Sequence, residues 1–331
     1  MIMTPTAAST QNYSLRMFGS RVGTQNISLL IALIALVVIF GFIRPDVFFT
    51  GRNLINIGLA VTIIGILAMA QTIVIVSGGL DLSVGSIVGL GTMVLAVVIQ
   101  DTGSVVLGVV ACVFAGVFAG ILNGLTIVYG PVNAVIATLG TMSAFRGLAF
   151  LLNNGNSVAI QANGLRSLGT GTLLGLPCAI WLLLIIMAFF VVFTQKTVIG
   201  RNLYAIGGNP TVARLAGIAI RRYQVGIYAM SGLSAAIAAV VLTSRTMSGQ
   251  PSSGSQGLEL EAITAAVLGG CALQGGKGTI VGAMLGVLII GVLNNGMILT
   301  SVPTFYQLLA KGALLVAAVV IQERQRAHVG E

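Results

Sequence analysis

Ionisable and amide side chains are scarce in this chain, so the few inside apolar stretches stand out as candidates for chemistry. Three acids, Asp81, Glu259 and Glu261, and two bases, Arg146 and Lys311, lie in or at the edges of such stretches. A charge buried in a bilayer costs about 2.5 to 3.5 kcal/mol at a span centre on insertion scales, so such residues pair or face a polar cavity. Glu259 and Glu261 open one apolar segment on the same side as the outer end of the segment carrying Arg146. One of the two acids is therefore expected to pair with Arg146 or to share its cavity. Asp81 and Ser83 belong to Asp81-Leu82-Ser83-Val84-Gly85, a run with the composition of a helix start; capping and lining a pathway are both open to them. Asn123, Thr138 and Asn294 are polar groups in apolar surroundings, suited to hydrogen bonds between helices or to a hydroxylated solute.

Other chemistries are excluded by what is missing. Gly275-Gly276-Lys277-Gly278 is the nearest approach to a phosphate-binding loop, but position 271 is Cys and the residue after Lys277 is Gly. The GxxxxGK[ST] spacing fails, and a tight turn is expected there instead. Three cysteines, Cys112, Cys178 and Cys271, are too scattered for a disulfide framework, and the single histidine, His328, sits in a polar tail. No metal, cofactor or catalytic cluster is expected. The net charge of +9 comes without a basic run or an aromatic-interleaved stripe, so nucleic acid is not an expected partner.

The elements that hold these residues follow from composition. Of 331 residues 56% are hydrophobic, a further 44 are glycine and only 7% are charged, against ~25% charged in soluble domains. Such a chain cannot cover a globular surface with charge, so an all-α polytopic membrane protein is expected. At about 20 apolar residues per crossing, ten spans can be placed: 27–43, 54–77, 82–100, 104–128, 131–152, 177–194, 223–243, 258–273, 279–299 and 302–321. The third and eighth are short or interrupted by glycine, as half-length helices lining a cavity would be. With the N-terminus inside, ten basic residues fall on the inner side: Arg16, Arg21, Lys196, Arg201, Arg214, Arg221, Arg222, Lys277, Arg324 and Arg326. Arg44, Arg52, Arg166 and Arg245 fall outside. That bias places both termini in the cytoplasm. The organisation is an N-terminal tail over 1–26, a transmembrane domain over 27–321 with an inner loop at 195–222, and a C-terminal tail over 322–331.

Two halves echo each other. Gly79-Leu80-Asp81-Leu82 returns as Gly257-Leu258-Glu259-Leu260, Asn123 as Asn294 and Pro131 as Pro303, with similar offsets. Residues 54–152 thus look duplicated as 223–321. Five spans separate equivalent positions, so the second five-helix copy is expected upside down, a transporter architecture.

The inner loop carries the clearest local pattern, Gly200-Arg201-Asn202-Leu203-Tyr204 through Asn209-Pro210-Thr211-Val212-Ala213-Arg214-Leu215-Ala216-Gly217. Asn209 suits an N-cap, Pro210 the first helical position and Gly217 the stop, so a short capped helix is expected.

The segments SGGLDLSVGS (77–86), ATLGTMSAFRGL (137–148), GRNLYAIGGNPTVARLAGI (200–218), GLELEAITAAVLGG (257–270), GGKGTIVGAMLG (275–286) and GVLNNGMIL (291–299) resemble the membrane permease subunits of ribose-type ABC sugar importers. The resemblance runs from about 27 to 321. It implies a permease in the bacterial inner membrane that dimerises with a second copy or a related chain. Two cytoplasmic ATP-binding subunits would drive it, and a periplasmic binding protein would supply a monosaccharide or polyol. The helix at 209–217 then corresponds to a coupling helix, with Asn209, Pro210, Ala213, Arg214, Leu215 and Gly217 at the ATPase contact. Ala213 or Leu215 would face the ATPase and Arg214 would stay at the rim. The Glu-Ala-Ala of the family's coupling motif is here Pro210, Thr211 and Val212, while its Gly is kept as Gly217. An ion-coupled secondary transporter, a membrane-embedded enzyme and an ABC permease for branched-chain amino acids or nucleosides are the competing readings.

Overall fold

The computed structural model describes residues 26–130, 132–252 and 254–327. The expected N-terminal tail lies outside the described residues as far as 25, as do Pro131, His328 and the end of the C-terminal tail.

Helix α1 (Asn26–Ile43) leads through the single turn α2 (Pro45–Phe48) into α3 (Gly51–Val76). Then come α4 (Val84–Thr102), α5 (Val105–Tyr129) and α6 (Ala134–Leu151). A long connection holds α7 (Asn163–Thr170) and the two-residue strands β1 (Val158–Ala159), β2 (Thr172–Leu173) and β3 (Leu176–Pro177). Helices α8 (Cys178–Lys196), α9 (Val198–Gly208), α10 (Pro210–Leu215) and α11 (Ile220–Thr246) follow. The strand β4 (Ser248–Gly249) precedes α12 (Leu258–Leu268), α13 (Ile280–Leu299) and α14 (Thr304–Ala327). Helix starts are written locally: the side chains of Thr50, Ser104, Asn133, Thr197 and Thr279 each accept from a backbone N–H of the first turn, satisfying donors that have no intrahelical partner.

Among the described residues eight helices, α1, α3, α4, α5, α6, α8, α11 and α13, are long and apolar enough to cross a membrane. The protein is an all-α polytopic membrane protein, and two of the expected ten spans, the eighth and the tenth, are not among these eight. The third span is a full helix of 19 residues. The eighth is α12, whose 11 residues reach about 16 Å at ~1.5 Å per residue, half of a hydrocarbon core of ~30 Å. Gly269 and Gly270, the latter at φ 96°, end it where a hydropathy reading runs on. The tenth expected span corresponds to α14, whose apolar stretch is Thr304–Val320.

Helix α3 is the axis: from Val61 to Val76 every side chain is buried, against α8, α11, α12 and α13. Helices α5 and α11 run antiparallel and nearly touch, with Gly116 against Gly232 and Ala236, Gly120 against Tyr228 and Gly124 against Val225. Small residues allow that approach, and dispersion between backbones takes the place of a hydrophobic drive that lipid cannot supply. The outward faces carry exposed Phe42, Phe114, Leu151, Ile185 and Leu309, a surface only lipid or another membrane chain would solvate.

Two irregular segments enter the bundle from opposite faces. After Val76 the chain turns back along α3, the Gly79 N–H donating to the Val74 carbonyl at 3.0 Å and the Gln71 amide to the Asp81 carbonyl. Helix α4 therefore starts inside the bundle. After α11, residues 248–259 descend beside α4: Gly249 lies against Ala96 and Thr92, Pro251 against Gly89, and Ser255 and Glu259 against Gly85. The Thr92 hydroxyl donates to the Gln250 carbonyl at 2.8 Å, and β4 pairs antiparallel with β1.

Candidate functional site

The first polar cluster surrounds Asp81. One carboxylate oxygen accepts from the Ser83 N–H at 3.0 Å and the Ser83 hydroxyl at 2.6 Å. The other accepts from the Ser231 hydroxyl at 2.8 Å. The Asn123 amide donates to the Ser83 hydroxyl at 2.7 Å, and Tyr228 donates to the Leu80 carbonyl at 3.1 Å. Asp81, Ser83, Asn123 and Gln71 are fully buried. The carboxylate thus organises the turn entering α4, and its partners among the described residues are hydroxyls and a backbone amide rather than cations. Thr138 borders the cluster, but its short bond, 2.8 Å, goes to the Ala134 carbonyl within its own helix. Gln71, Tyr228 and Ser231 escape sequence reasoning, because nothing local tells which face of α3 or α11 meets residue 81.

The second cluster is ionic. Arg146 on α6 faces Glu259 on α12, Nη2 to Oε1 at 3.9 Å, which bears out the expected pairing and selects Glu259. The contact is loose: Arg146 Nε and Nη2 and Glu259 Oε2 are buried without a hydrogen-bond partner. Glu261 pairs instead with Lys311 on α14, at 2.6 Å. Residues two apart on a helix point to different sides, so each acid needs its own base. A Cβ on Gly85 would collide with the Glu259 carboxylate, which therefore rests against the first turn of α4, where a helix dipole favours negative charge. Asn294, on α13, also has a buried oxygen without a partner, while its neighbour Asn295 exchanges hydrogen bonds with Asn53 at 2.8 and 3.1 Å.

Breaking a fully buried ion pair by removing one member costs about 3 to 5 kcal/mol, an upper bound for this contact, which is 3.9 Å long and partly exposed at Arg146. Arg146→Ala should accordingly lower the amount of folded protein in the membrane, and Glu259→Ala in the same chain should recover part of the loss. The readout is detergent-solubilised monodisperse protein across the double-mutant cycle. Strictly additive losses would show that the two side chains act independently.

The third feature is the loop segment. Helix α10 begins at Pro210, and the Asn209 side chain accepts from the N–H groups of Thr211 and Val212 at 3.0 and 3.1 Å. Gly217 ends the turn at φ 81°. The expected capped helix is there. It packs on α9 and α11, and Ala213 is buried (3% exposed) while Leu215 is 83% and Val212 59% exposed. Of the two residues expected to face outward, only Leu215 does so, joined by Val212; Arg214 is exposed as well. A helix of six residues gives too little pattern to tell its two sides apart.

Helix α9 ends in a joint made almost entirely of backbone. The Gly276 N–H donates to the Val76 carbonyl at 2.8 Å, and the Cα atoms of Gly78 and Gly207 flank Gly275. Gly275 and Gly276 have φ 94° and 73°, so the expected tight turn at 275–278 has a packing role. The Tyr204 hydroxyl donates to the Gly278 carbonyl at 2.9 Å; burial pushes its ionisation up to about 12, so it remains a donor. Among the described residues no three metal-binding side chains come together.

Over residues 53–319 the chain matches the family described as branched-chain amino acid transport system / permease component. It is 41% identical to the ribose import permease protein RbsC of Bacillus subtilis (strain 168), over 92% of this chain and 94% of that one. It is 42% identical to the L-arabinose transport system permease protein AraH of Escherichia coli (strain K12), over 82% of this chain and 83% of the relative. With the RbsC of Escherichia coli (strain K12) it shares 35% identity over 96% of this chain and all of the relative. No solved structure matches it.

Proposed function

The chain belongs to the branched-chain amino acid transport system / permease component family, and from that premise we propose that it is the membrane-spanning subunit of an ABC importer for a monosaccharide or similar polyol. Near full-length likeness to ribose and arabinose permeases is the observation that carries the substrate class. The work of importing is divided. ATP hydrolysis belongs to a separate cytoplasmic subunit docking on α10, capture belongs to a periplasmic binding protein, and a second permease copy or a related chain completes the path.

The path itself needs groups that can bind hydroxyls, because each buried polar group must be paired at every stage. Arg146, Glu259 and Asn294 supply unpaired polar atoms and are the residues we assign to it. Asp81, Ser83 and Thr138, whose hydrogen bonds are taken up by the protein itself, shape the start of α4. Asn123 does both, since its amide nitrogen is bonded to Ser83 and its oxygen is unpaired.

Co-expressed with its ATPase and binding protein, the permease in sealed vesicles should accumulate a labelled pentose only with internal ATP. Uptake that survives ATP depletion but collapses with a protonophore would establish ion coupling instead. Uptake of a branched-chain amino acid but of no sugar would move the substrate class.

The inverted-repeat reading is supported by matching element order. A long helix, an irregular re-entering segment and three further helices occur in 51–151 and again in 220–327, with an acid near the start of the first of those three each time, Asp81 just before α4 and Glu259 in the first turn of α12. Both termini are assigned to the cytoplasm on the charge bias. On that orientation a cysteine placed at Ser157, which is exposed, should react with an impermeant maleimide in intact cells. One placed at Gln195, also exposed, should react only after permeabilisation; the reverse pattern would invert the topology.

A further inference from the structure

Between α8, α9 and α11 lies a recess of about 280 Å³ lined by Phe193, Ile199, Arg222, Tyr223, Ile227 and Met230, with Gly226 on its floor. Its lining is apolar except at one end, where exposed Arg222 sits at the first turn of α11 and Tyr223 accepts a hydrogen bond from the Asn202 amide at 2.6 Å. From Arg222 to Met230 is eight residues of helix, about 12 Å at ~1.5 Å per residue. The recess therefore runs from the level of the loop 195–222 into the apolar layer, a polar mouth continuing as a slot.

The charge around the mouth is one-sided. The segment 195–222 carries Lys196, Arg201, Arg214, Arg221 and Arg222 and no acid. Arg221 is engaged over the Tyr129 ring at 5.8 Å, whereas Arg222 forms no ion pair among the described residues. A second copy of this chain could not neutralise it readily. Of the six acids among the described residues, Asp46 and Asp101 are assigned to the opposite face, Asp81, Glu259 and Glu261 are inside the bundle, and Glu323 alone belongs to the inner end. An amphiphile with an anionic head and an apolar tail matches both parts of the site, and basic pockets between helices on the cytoplasmic side are where such headgroups bind.

We propose that this recess is a binding site for an anionic phospholipid of the inner leaflet, with one acyl chain against Phe193, Ile227 and Met230 and the phosphate on Arg222. The lipid would wedge between α11 and the α8–α9 corner, beside the root of α10. The proposal rests on the bundle sitting in a bilayer with the loop 195–222 on the cytoplasmic side, as the charge bias assigns it. Failed sugar uptake would leave it standing, and failed lipid retention would leave the import reading standing.

The test is retention from vesicles of equal phosphatidylglycerol and phosphatidylcholine, read as the ratio of the two lipids that co-purify with the permease in one sample. Wild type should retain phosphatidylglycerol preferentially. Arg222→Gln should cut that preference about fivefold, the factor for one basic residue at an anionic surface, and Arg222→Lys should restore it. A Cβ at Gly226 would meet nothing within 4 Å, so Gly226→Leu has room to enter the recess and should reduce retention of both lipids. Because the Arg222 result is a ratio within one preparation, a poorly expressed variant still answers; the Gly226→Leu result is read as total lipid per mole of purified permease. Equal retention of both lipids by wild type, or an unchanged ratio in Arg222→Gln, overturns the proposal. So does a Gly226→Leu variant that keeps its lipid and loses only its dimeric state, which would make the recess an interface between chains.

Discussion

Replacing Asp81 by alanine should abolish accumulation of folded protein. The substitution strips the acceptor from three donors at once, the Ser83 N–H and the Ser83 and Ser231 hydroxyls, at a place where burial is complete and no water can substitute. At about 1 to 3 kcal/mol for each stranded group, the loss approaches a typical folding margin of about 5 to 15 kcal/mol. The turn into α4 would lose its anchor, and with it the register between α4, α5 and α11. Asp81→Asn should recover most of the protein. Its oxygen still accepts from Ser83, and the Ser231 hydroxyl can rotate to accept from the new amide. Fluorescence-detected size-exclusion chromatography of tagged variants gives the answer. A monodisperse Asp81→Ala peak at wild-type height and melting temperature would show that the cluster is dispensable.

Leu215→Asp should leave the permease inserted and abolish uptake. An exposed leucine beside exposed Val212 on a capped, rigid turn is the apolar centre such a small docking surface needs, and losing a central anchor at an interface costs about 2 kcal/mol or more, roughly thirtyfold in affinity. Binding-protein-stimulated ATP hydrolysis and ATPase co-purification should fall together. Gly217→Pro attacks the same lever from its exit, since proline fixes φ near −65° where Gly217 stands at 81°. Ala213→Asp is the wrong probe, because Ala213 is buried against the permease itself and the variant would report on folding. If Leu215→Asp and Gly217→Pro both keep wild-type stimulation and uptake, α10 is not the ATPase contact.

The parts of this molecule legible in its sequence are those decided by neighbours along the chain. Asn209, Pro210 and Gly217 announce α10 because caps and stops are local events. Arg146 and the acids near 260 announce a pair because a charge in hydrocarbon must be answered. What escaped depends on how helices meet. The choice of Glu259 for Arg146 and of Glu261 for Lys311 depends on where α6 and α14 stand around α12. Ser231 and Gln71 find Asp81 only because α5, α11 and α3 approach as closely as they do. Interruption by glycine marks α12 correctly as a half-length helix but misleads for α4, whose Gly85, Gly89 and Gly91 are points of close contact inside a full helix rather than terminators.

Where α9, the end of α3 and the turn before α13 converge, the surfaces in contact are peptide planes, not side chains. A side chain can absorb a push by changing rotamer; a carbonyl against an N–H at hydrogen-bond distance has nowhere to go. The joint at Val76, Gly207 and Gly276 therefore has almost no backlash. If the proposed ATPase contact on α10 is right, a displacement entering there would pass through α9 to the end of the buried axis α3 with little loss. Compliance must be found elsewhere, in the turns at 254–257 and 77–83, so on the proposed docking the molecule would be stiff where it is driven and pliable beside the polar clusters.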